Sequence, residues 1–337
     1  MLSEINIEQV FSFHLPIIDV RSPGEFAKGH IPNAINIPLF TDDERAHVGT
    51  VYVQQSQEVA IKLGYEYVTP KLQNFINDAF KVAPNGEVIV HCWRGGMRSH
   101  AFAQHLVDNG FSEVKLIIGG YKAYRNYVLH NLASPAHIKV LGGYTGSGKT
   151  YILEELNKLG NQVIDLEGLA NHKGSAFGGI GQPEQPTVEQ FENNLHAEFM
   201  QLDLSKPIWV EDESYDIGRV KIPKPFFEQM QASQLYFIEI PQYERAKHLV
   251  IEYGICDKQK LADSILRISQ RLGGLSVKNS IAALEQDDFY EVAMITLHYY
   301  DKLYAKGMNN PKWKNVITIP LPSINHLENA LKIEKLK

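Results

Sequence analysis

The chain has 337 residues and a formal net charge of −6, and 44% of its residues are hydrophobic. This length favours two domains, because single hydrophobic cores seldom grow beyond about 250–300 residues, and the negative charge argues against a broad basic surface for nonspecific nucleic-acid binding. The chain has no apolar run of about 18 residues, its first residues do not resemble a secretory signal, and it has only two cysteines, so we expect a cytoplasmic protein that has no membrane partner and no disulfide framework.

The N-terminal part of the chain alternates apolar strands with helices. The segment 87–92 is apolar without alternation, as in a strand buried on both faces, and 98–110 places apolar residues at helical spacing. Further strands are predicted at 16–20, 34–38 and 114–120. This order of elements predicts an α/β domain over residues 1–128, with a mostly parallel sheet.

A second α/β pattern follows a predicted helical bridge over 121–137. Strands are predicted at 137–143, 161–166, 207–210, 235–241 and 316–320. Helices are predicted at 149–160, 187–202 and 226–233, and the pattern from 242 to 305 is mostly helical. The fold class predicted for the chain is therefore α/β, with a second parallel-sheet domain over residues 129–337 that resembles P-loop NTPases and carries added helices.

The octapeptide G-Y-T-G-S-G-K-T matches the phosphate-binding loop G-x-x-x-x-G-K-[ST] at every fixed position, and it lies between a predicted strand and a predicted helix. Backbone amides of such a loop turn inward around phosphate oxygens, and the helix N-terminus adds positive potential. We expect the Lys149 ammonium to contact the terminal phosphates and the Thr150 hydroxyl to bind Mg²⁺. The predicted phosphate-binding residues are Gly143, Tyr144, Thr145, Gly146, Ser147, Gly148, Lys149 and Thr150.

An acidic strand end is the predicted remainder of a cation site. Glu211 and Asp212 directly follow the strand predicted at 207–210. Either carboxylate is a candidate for holding Mg²⁺ together with Thr150, and Glu211 is the first choice. The alternative is a solvated acidic loop. The motif predicts binding of a di- or triphosphate, but it does not predict hydrolysis.

A glycine-rich segment follows the strand predicted at 161–166 and contains Asp165, Glu167 and His172. Loops at the carboxyl ends of parallel strands surround the ligand crevice of such folds. We therefore predict that these three residues surround the phosphate site. For His172, an ordinary loop histidine is the alternative.

The segment 91–99, HCWRGGMRS, places a cysteine between a predicted strand and a glycine-rich loop that opens into a helix. Inward backbone amides and the helix dipole stabilise a thiolate at such a position, so Cys92 is the predicted nucleophile. Arginines add charge, and Arg98 lies at the helix start, where its guanidinium would bind a tetrahedral oxyanion. The alternative is a buried structural cysteine. The predicted anion-binding loop comprises Trp93, Arg94, Gly95, Gly96, Met97 and Arg98.

The segment 19–38 closely resembles the N-terminal signature of rhodanese-like domains. In that resemblance Cys92 carries sulfur or selenium as a persulfide or perselenide. The spacing from Cys92 to Arg98 is C-x5-R, the length found in rhodanese-related phosphatases and protein tyrosine phosphatases, rather than the C-x4-R of ordinary sulfurtransferases. A longer loop forms a wider ring of amides that suits a tetrahedral phosphate-like group. The signature residues read as structural are Asp19, Arg21, Glu25, Gly29 and His30.

The order of motifs along the chain resembles the bacterial tRNA 2-selenouridine synthases. The motifs are HCWRGGMRS, GGYKAYR at 119–125, the phosphate loop, the segment 165–178, the E-D-E-S strand end and RLGG at 271–274. The resemblance implies a transferase that replaces the sulfur of wobble 2-thiouridine in tRNA by selenium from selenophosphate, through S-geranylation with geranyl diphosphate. We expect Mg²⁺, no tightly bound organic cofactor, and a selenophosphate supplier as a partner.

Two anion-binding loops and two phosphoanion substrates suggest one assignment. We assign selenophosphate to the C-x5-R loop, where Cys92 takes the selenium, and geranyl diphosphate to the phosphate loop, where a nucleotide is the alternative. Two other functions stay open. They are a sulfurtransferase or phosphatase fused to an NTP-binding domain, and a noncatalytic chalcogen carrier.

Basic residues of the second domain are candidate contacts for tRNA phosphates, although ordinary solvated surface charge explains each of them as well. Cys256 has neither glycines nor basic residues around it and reads as structural. The candidate contacts are Lys221, Lys224, Arg245, Lys247, Arg267 and Arg271.

Overall fold

The computed structural model describes residues 1–308 and 315–336, and it describes side chains over residues 1–304 and 315–336. The chain divides into two compact units, Met1–Asn131 and Leu132–Lys337, close to the boundary predicted after residue 128. Among the described helices, none is both long and apolar enough to cross a membrane.

The strands of the first unit form one parallel sheet in the order β1-β5-β4-β2-β3. A single turn of 3-10 helix precedes α5. In chain order, the elements are β1 Leu2–Ile5, α1 Ile7–Val10, β2 Ile17–Asp19, α2 Pro23–Lys28, β3 Ile35–Asn36, α3 Asp42–Gln54, α4 Gln57–Val68, α5 Leu72–Val82, β4 Glu87–His91, α6 Met97–Asp108, β5 Glu113–Ile117 and α7 Gly120–Asn131.

Strand β4 lies at the centre of this sheet and positions the cysteine loop. Val88, Ile89 and Val90 are fully buried, so the prediction of a strand buried on both faces is confirmed. His91 at the end of β4 pairs in register with Asp19 of β2. The chain therefore leaves the sheet at Cys92, at the carboxyl edge of parallel strands where α/β proteins bind ligands.

The second unit has a parallel sheet in the order β12-β11-β6-β8-β7 and a small antiparallel hairpin of β9 and β10. Its elements are β6 Ile138–Gly143, α8 Lys149–Lys158, β7 Gln162–Ile164, α9 Leu166–Ala170, α10 Val188–Phe199, β8 Ile208–Glu211, β9 Asp216–Ile217, β10 Val220–Lys221, α11 Lys224–Ala232, β11 Gln234–Glu239, α12 Gln242–Tyr253, α13 Lys258–Arg267, α14 Ser269–Leu272, α15 Gly274–Glu285, α16 Phe289–Met308, β12 Val316–Pro320 and α17 His326–Glu334.

The arrangement of β6, β7 and β8 brings the predicted phosphate-site segments to one edge of the sheet. β6 lies in the middle and is followed by the phosphate loop, while β8 pairs with both β6 and β7. The α/β prediction is confirmed for both units, and the region from 242 to 305 is helical as predicted. Because the strands are parallel, the loops after β6, β7 and β8 meet at their carboxyl ends.

Candidate active sites

Cys92 lies directly after β4 and is only 3% exposed. Its Sγ accepts a hydrogen bond from Ser99 Oγ at 3.3 Å, and the chain turns into α6 with Gly96 as the N-cap. Burial alone would raise the pKa of the thiol, but the Ser99 hydroxyl, the Arg98 guanidinium and nearby backbone amides outweigh burial and lower the pKa. The loop therefore stabilises a thiolate at Cys92.

An acidic side chain of α2 holds the Arg98 guanidinium. Arg98 Nη1 donates to Glu25 Oε2 at 2.8 Å, and both side chains are partly buried. Burial raises the pKa of Glu25, but the contacts with Arg98 and with the Ser22 amide outweigh burial, so the net shift of the pKa is downward. The sequence indicates a structural role for Glu25, and the structure makes it the partner that positions Arg98.

The other side chains of the cysteine loop differ in their exposure. Arg94 and Met97 are exposed, and Gly96 has open space above its Cα. Trp93 is half-buried, and its ring centroid lies 5.8 Å from that of Tyr121. The Arg94 side chain is therefore accessible to an anion that enters from solvent.

The segment 119–122, GGYK, packs against the cysteine loop from the end of β5. Two backbone amides of this segment donate to loop carbonyls, both at 2.9 Å. Gly120 has a φ of +57°, and a Cβ there would lie 2.4 Å from both the Cys92 carbonyl oxygen and the Gly95 nitrogen. Only glycine combines this left-handed conformation with so close an approach. The sequence motif GGYK signals this packing, but its partner is visible only in the fold.

Replacing Gly120 by alanine is expected to lower the free energy of unfolding by about 3 kcal/mol, because strain in the left-handed region adds to a backbone clash. Chemical denaturation of the full chain measures this loss. Gly110→Ala is the matched control, since Gly110 has a φ of +103° but only one atom near its Cβ position, at 4.0 Å. An equal loss in the two variants would contradict the close packing at Gly120.

The rhodanese-like signature residues build a buried network beside this loop. Arg21 Nη2 donates to Asp19 Oδ2 at 2.6 Å and to the Gly29 carbonyl at 2.7 Å. The Arg21 guanidinium lies 3.7 Å from the ring centroid of Tyr121, and His30 contacts a backbone carbonyl of α2. Arg21 and Asp19 are fully buried, so these contacts agree with structural roles.

The phosphate loop connects β6 to α8. Gly148 is the N-cap of α8 with a φ of +71°, and a Cβ there would lie 3.0 Å from His326 Nε2. Lys149 begins the helix, and its Nζ donates to the Gly143 carbonyl at 3.4 Å, so its side chain lies over the loop. Ser147 is buried, and its hydroxyl has no hydrogen-bond partner among the described residues.

Arg245 of α12 stabilises the phosphate loop from outside. Its Nη1 donates to the Thr145 carbonyl at 3.0 Å, and its Cζ lies 5.1 Å from the Tyr144 ring centroid. The side chain is 3% exposed and forms an ion pair with Asp301 at 2.7 Å. The prediction of Arg245 as a tRNA contact is therefore wrong, because its guanidinium is buried and paired within the unit.

Acidic groups around Lys149 keep its ammonium charged. Burial disfavours the charged form, but the surrounding groups outweigh it and raise the pKa of Lys149 above its ordinary value. Lys149 is thus a permanent positive charge beside the loop. The groups that raise its pKa are Tyr304, Glu167, Glu213 and Asp212.

Glu167, Asp212 and Glu213 are among the carboxylates that line a cavity together with the phosphate loop. Thr150 Oγ1 donates to Glu167 Oε2 at 2.9 Å. Burial raises the pKa of Asp212 to about 6 despite the nearby Lys149 charge, and burial together with Glu167 raises the pKa of Glu213 well above its usual range. A cation bound here would relieve this concentration of negative charge.

Glu211 does not belong to the lining of the cavity. Its side chain is fully buried, and Oε2 accepts a hydrogen bond from the Leu166 amide at 3.0 Å. Burial, with Asp165 and Glu167 nearby, raises the pKa of Glu211 well above its usual range. Because Glu211 bonds the Leu166 amide outside the cavity and Asp212 lines it, of the two carboxylates considered for Mg²⁺ the structure favours Asp212 over Glu211.

The oxygen donors at this edge of the sheet fit Mg²⁺. Mg²⁺ commonly binds one or two protein carboxylates and completes its shell with waters and substrate phosphates. Thr150, Glu167 and Asp212 offer such a partial set. Within residues 1–304 and 315–336, no group of three or more His, Cys, Asp or Glu side chains is arranged as a complete metal site. The residues present therefore suit an ion that arrives with a phosphate ligand.

Two other predicted neighbours of the phosphate loop differ in position. Asp165 lines the cavity and caps α9, where its Oδ1 accepts from the Gly168 amide at 2.7 Å. His172 is half-buried and lies outside the cavity lining. Burial lowers the pKa of His172, so its ring is neutral near pH 7.

The remaining basic residues predicted for tRNA contact lie at the surface. Arg267 donates to the Ala176 carbonyl at 3.3 Å, and Arg271 is exposed. Because exposed ion pairs contribute little stability, a tRNA phosphate can compete with the paired carboxylates for these cations. Their role as tRNA contacts stays a prediction. Cys256 is half-buried near the Glu252 carbonyl, as suits a structural residue. The surface ion pairs are Lys221 with Asp216, Lys224 with Glu228, and Lys247 with Glu244.

The cavity at the phosphate loop has a volume of about 630 Å³, within the usual range of small-molecule sites. One part of its wall is polar and includes the phosphate loop, Glu167, Asp212 and Glu213. The sequence motifs predicted only this polar part. The apolar part comes from a loop and from helices α12, α13 and α16, and it includes Phe177, Leu249, Leu261, Val292, Ala293 and Leu297.

Two family models match the chain. A model described as the tRNA 2-selenouridine synthase AAA domain matches residues 136–319, and a rhodanese-like domain model matches residues 5–127. The tRNA 2-selenouridine synthase of Bdellovibrio bacteriovorus is 34% identical to the chain, and the match covers 90% of this chain and 91% of the relative. That of Nitrosomonas eutropha is 38% identical, with 90% and 92% covered. The chain belongs to the tRNA 2-selenouridine synthase family.

Proposed function

We propose that the chain replaces the sulfur of wobble 2-thiouridine in tRNA by selenium in two stages. The first is S-geranylation in the cavity of the second unit, and the second is release of selenium from selenophosphate at the Cys92 loop. Family membership supports an enzyme that makes 2-selenouridine in tRNA. The two stages rest on the chemistry of the two sites.

The observation that carries the proposal is the mixed character of the cavity wall. A phosphate loop and an apolar surface line the same space, as an amphiphilic diphosphate requires. Apolar side chains such as Ala293 and Leu297 offer a prenyl chain a surface to pack against and offer a ribose no hydrogen bonds. Burial of a prenyl chain against them contributes roughly 0.8 kcal/mol per CH₂ group. We therefore assign geranyl diphosphate, rather than a nucleotide, to this cavity.

The geranylation step forms one bond and breaks one. The sulfur of 2-thiouridine attacks the first carbon of the geranyl group, and the bond from that carbon to the diphosphate oxygen breaks. Lys149 and the loop amides stabilise the negative charge of the departing diphosphate. Mg²⁺, when bound by Thr150, Glu167 and Asp212, supplies further positive charge to the diphosphate.

The selenium step at Cys92 is constrained by its electron balance. The sulfur of a thiolate and the selenium of selenophosphate are both fully reduced, so joining them as a perselenide needs an electron acceptor. Attack of Cys92 Sγ on phosphorus needs none, because the S–P bond forms as the P–Se bond breaks and selenium leaves as hydrogen selenide. The C-x5-R loop and Arg98 suit the phosphoryl group of such a step. We therefore replace the expected perselenide by an S-phosphocysteine.

The released selenide completes the exchange on the base. It adds to C2 of the S-geranylated base, and the geranyl thiolate leaves from the same carbon. Water hydrolyses the S-phosphocysteine and returns the Cys92 thiolate with inorganic phosphate. Geranylation has the role of turning the sulfur into a leaving group.

Nucleoside mass analysis tests the proposal. Full-length protein with Mg²⁺ and 2-thiouridine tRNA is expected to give the S-geranylated base with geranyl diphosphate alone and 2-selenouridine with geranyl diphosphate and selenophosphate together. Formation of neither product by the wild-type protein would refute the proposed function. Geranyl diphosphate, but not ATP, is expected to raise the melting temperature of the protein. The reverse result would assign the phosphate loop to a nucleotide.

Enlarging Ala293 in the cavity wall is expected to impair geranyl binding selectively. Ala293→Leu adds volume where the prenyl chain packs, and overpacking of about 1–3 kcal/mol corresponds to a fall of roughly tenfold or more in kcat/KM for geranyl diphosphate. The measurement is the rate of tRNA geranylation, with the shorter dimethylallyl diphosphate as a comparison. Equal losses for the two prenyl diphosphates would contradict this position for the chain. Selenation of pre-geranylated tRNA by the same variant is the control.

A further inference from the structure

A carboxylate of the cavity wall is not used by any step described so far. Glu252 of α12 lines the cavity and its side chain is 12% exposed. Its Oε1 accepts a hydrogen bond from Tyr151 Oη at 2.9 Å and lies 3.1 Å from Lys173 Nζ. Among the described residues, Oε2 accepts no hydrogen bond. A carboxylate oxygen is thus left for a ligand in the cavity.

The surroundings of Glu252 match the edge of a uracil-type base. Uracil presents a donor, N3–H, beside an acceptor, O4. Glu252 and Lys173 present an acceptor beside a donor, and both line the same cavity as the phosphate loop. Tyr253 and Phe177 add aromatic surface to this wall, with ring centroids 6.3 Å apart. Aromatic side chains of this kind stack on exposed bases of RNA.

The chemistry of S-alkylation requires a proton acceptor at this edge. A neutral 2-thiouracil ring carries a proton on N3. Alkylation of the sulfur makes the C2–N3 bond a double bond, and the ring would be positively charged if N3 kept its proton. The neutral S-alkylated product has therefore lost that proton. Transfer of the prenyl group to sulfur is therefore coupled to removal of a proton from the adjacent nitrogen. A base placed at N3–H removes this proton as the sulfur attacks.

We propose that Glu252 accepts the N3 proton of the 2-thiouridine base as its sulfur attacks the geranyl carbon, while Lys173 donates to O4; this inference rests on the proposed geranylation. The S–C bond forms, the C–O bond to diphosphate breaks, the N3–H electron pair stays in the ring, and the proton passes to Glu252. Tyr151, the residue after Thr150, places this carboxylate beside the diphosphate-binding loop.

The groups that face Glu252 are compatible with this role. Lys173 is the cation in contact with it. Burial lowers the pKa of His248 and of His326, so both rings are neutral near pH 7 and place no further positive charge beside the carboxylate. If the Glu252–Lys173 pair served only to hold α12 against the loop around Lys173, charged side chains would not be needed. Apolar contacts can replace a buried ion pair without loss of stability. The titratable groups facing Glu252 are Lys173, Tyr151, His248, Tyr253 and His326.

The test compares geranylation rates of full-length wild type and Glu252→Gln, with 2-thiouridine tRNA and saturating geranyl diphosphate. The variant is expected to lose 10²–10⁴-fold in rate, the usual contribution of a general base, with unchanged thermal protection by geranyl diphosphate. Its rate is expected to rise about tenfold per pH unit as N3–H ionises in solution, because an anionic base needs no proton acceptor. Glu244→Gln, on the same helix with a surface partner, is the matched control and is expected to keep the wild-type rate.

The outcomes separate this inference from the proposed function. Wild type that forms no geranylated base refutes the proposed function itself. Active wild type with a Glu252→Gln rate within about threefold overturns the inference and leaves the proposed function standing. Glu252→Asp keeps a proton acceptor and is expected to recover at least tenfold over Glu252→Gln. Equal losses in the Gln and Asp variants, with no gain at high pH, assign Glu252 a structural role and overturn the inference as well.

Discussion

Replacing Cys92 by alanine is expected to abolish selenium incorporation and to leave S-geranylation within about twofold of the wild-type rate. In the proposed mechanism the Cys92 thiolate attacks the phosphorus of selenophosphate, and loss of a covalent nucleophile costs on the order of 10⁴-fold or more. The phosphate loop and the apolar wall belong to the other unit and keep their residues in this variant. The measurement is nucleoside mass analysis after separate geranylation and selenation reactions.

Cys256→Ala is the matched control and is expected to behave as wild type, because Cys256 packs against a hydrophobic cluster and contacts the Glu252 backbone carbonyl. Selenophosphate labelled at phosphorus adds a test of the intermediate. Rapid denaturation at alkaline pH, where an S-phosphocysteine is stable, is expected to trap the label on Cys92 of the wild-type protein. Full selenation by Cys92→Ala would remove the cysteine from the mechanism, whereas label-free Cys92 in an active wild type would contradict the S-phosphocysteine.

Replacing Lys149 by alanine is expected to reduce geranylation by about 10³-fold. Lys149 is the charge that lies over the phosphate loop, and nearby acidic groups keep it protonated. Removal of one preorganised group that stabilises developing negative charge costs about 10²–10³-fold, and loss of a full charge facing a diphosphate lies at the upper end of that range. The rate of S-geranylation of 2-thiouridine tRNA measures the effect.

Lys158→Ala provides the control for this prediction, because Lys158 ends the same helix and pairs with Glu155 at the surface. That variant is expected to geranylate at the wild-type rate. Lys149→Ala is also expected to selenate tRNA that has been geranylated beforehand. Loss of both reactions in Lys149→Ala would instead place the phosphate loop in the selenium step.

The cysteine loop and the phosphate loop were predictable because each is a continuous stretch of chain. HCWRGGMRS and GYTGSGKT carry their glycines, cations and nucleophile within a few residues, and local backbone geometry determines which amides and side chains converge. The structure places each segment after a strand, as predicted, and both strands lie at the middle of their sheets. Local motifs of this kind can be recognised in the sequence without knowledge of the residues that they contact in the fold.

Local sequence does not predict which of two adjacent acidic side chains, Glu211 or Asp212, lines the cavity. Glu211 and Asp212 are adjacent in sequence, and successive side chains of an extended chain point to opposite sides. Only the packing of β8 against α9 decides that Glu211 bonds the Leu166 amide while Asp212 lines the cavity. The same holds for Arg245, whose surface role was excluded by Asp301, a residue far along the chain.

The sequence predicts the two α/β units, the order of the two candidate sites along the chain, Cys92 as the nucleophile of the first site, and the phosphate loop of the second. Three features become visible only in the fold: the apolar wall of the cavity, the Glu25 contact that positions Arg98, and the Glu252–Lys173 pair. The physical reason is the distance along the chain over which each feature is assembled. Loops and strands follow from neighbouring residues, whereas a cavity wall forms where side chains from separate helices pack together, and no local pattern specifies that packing.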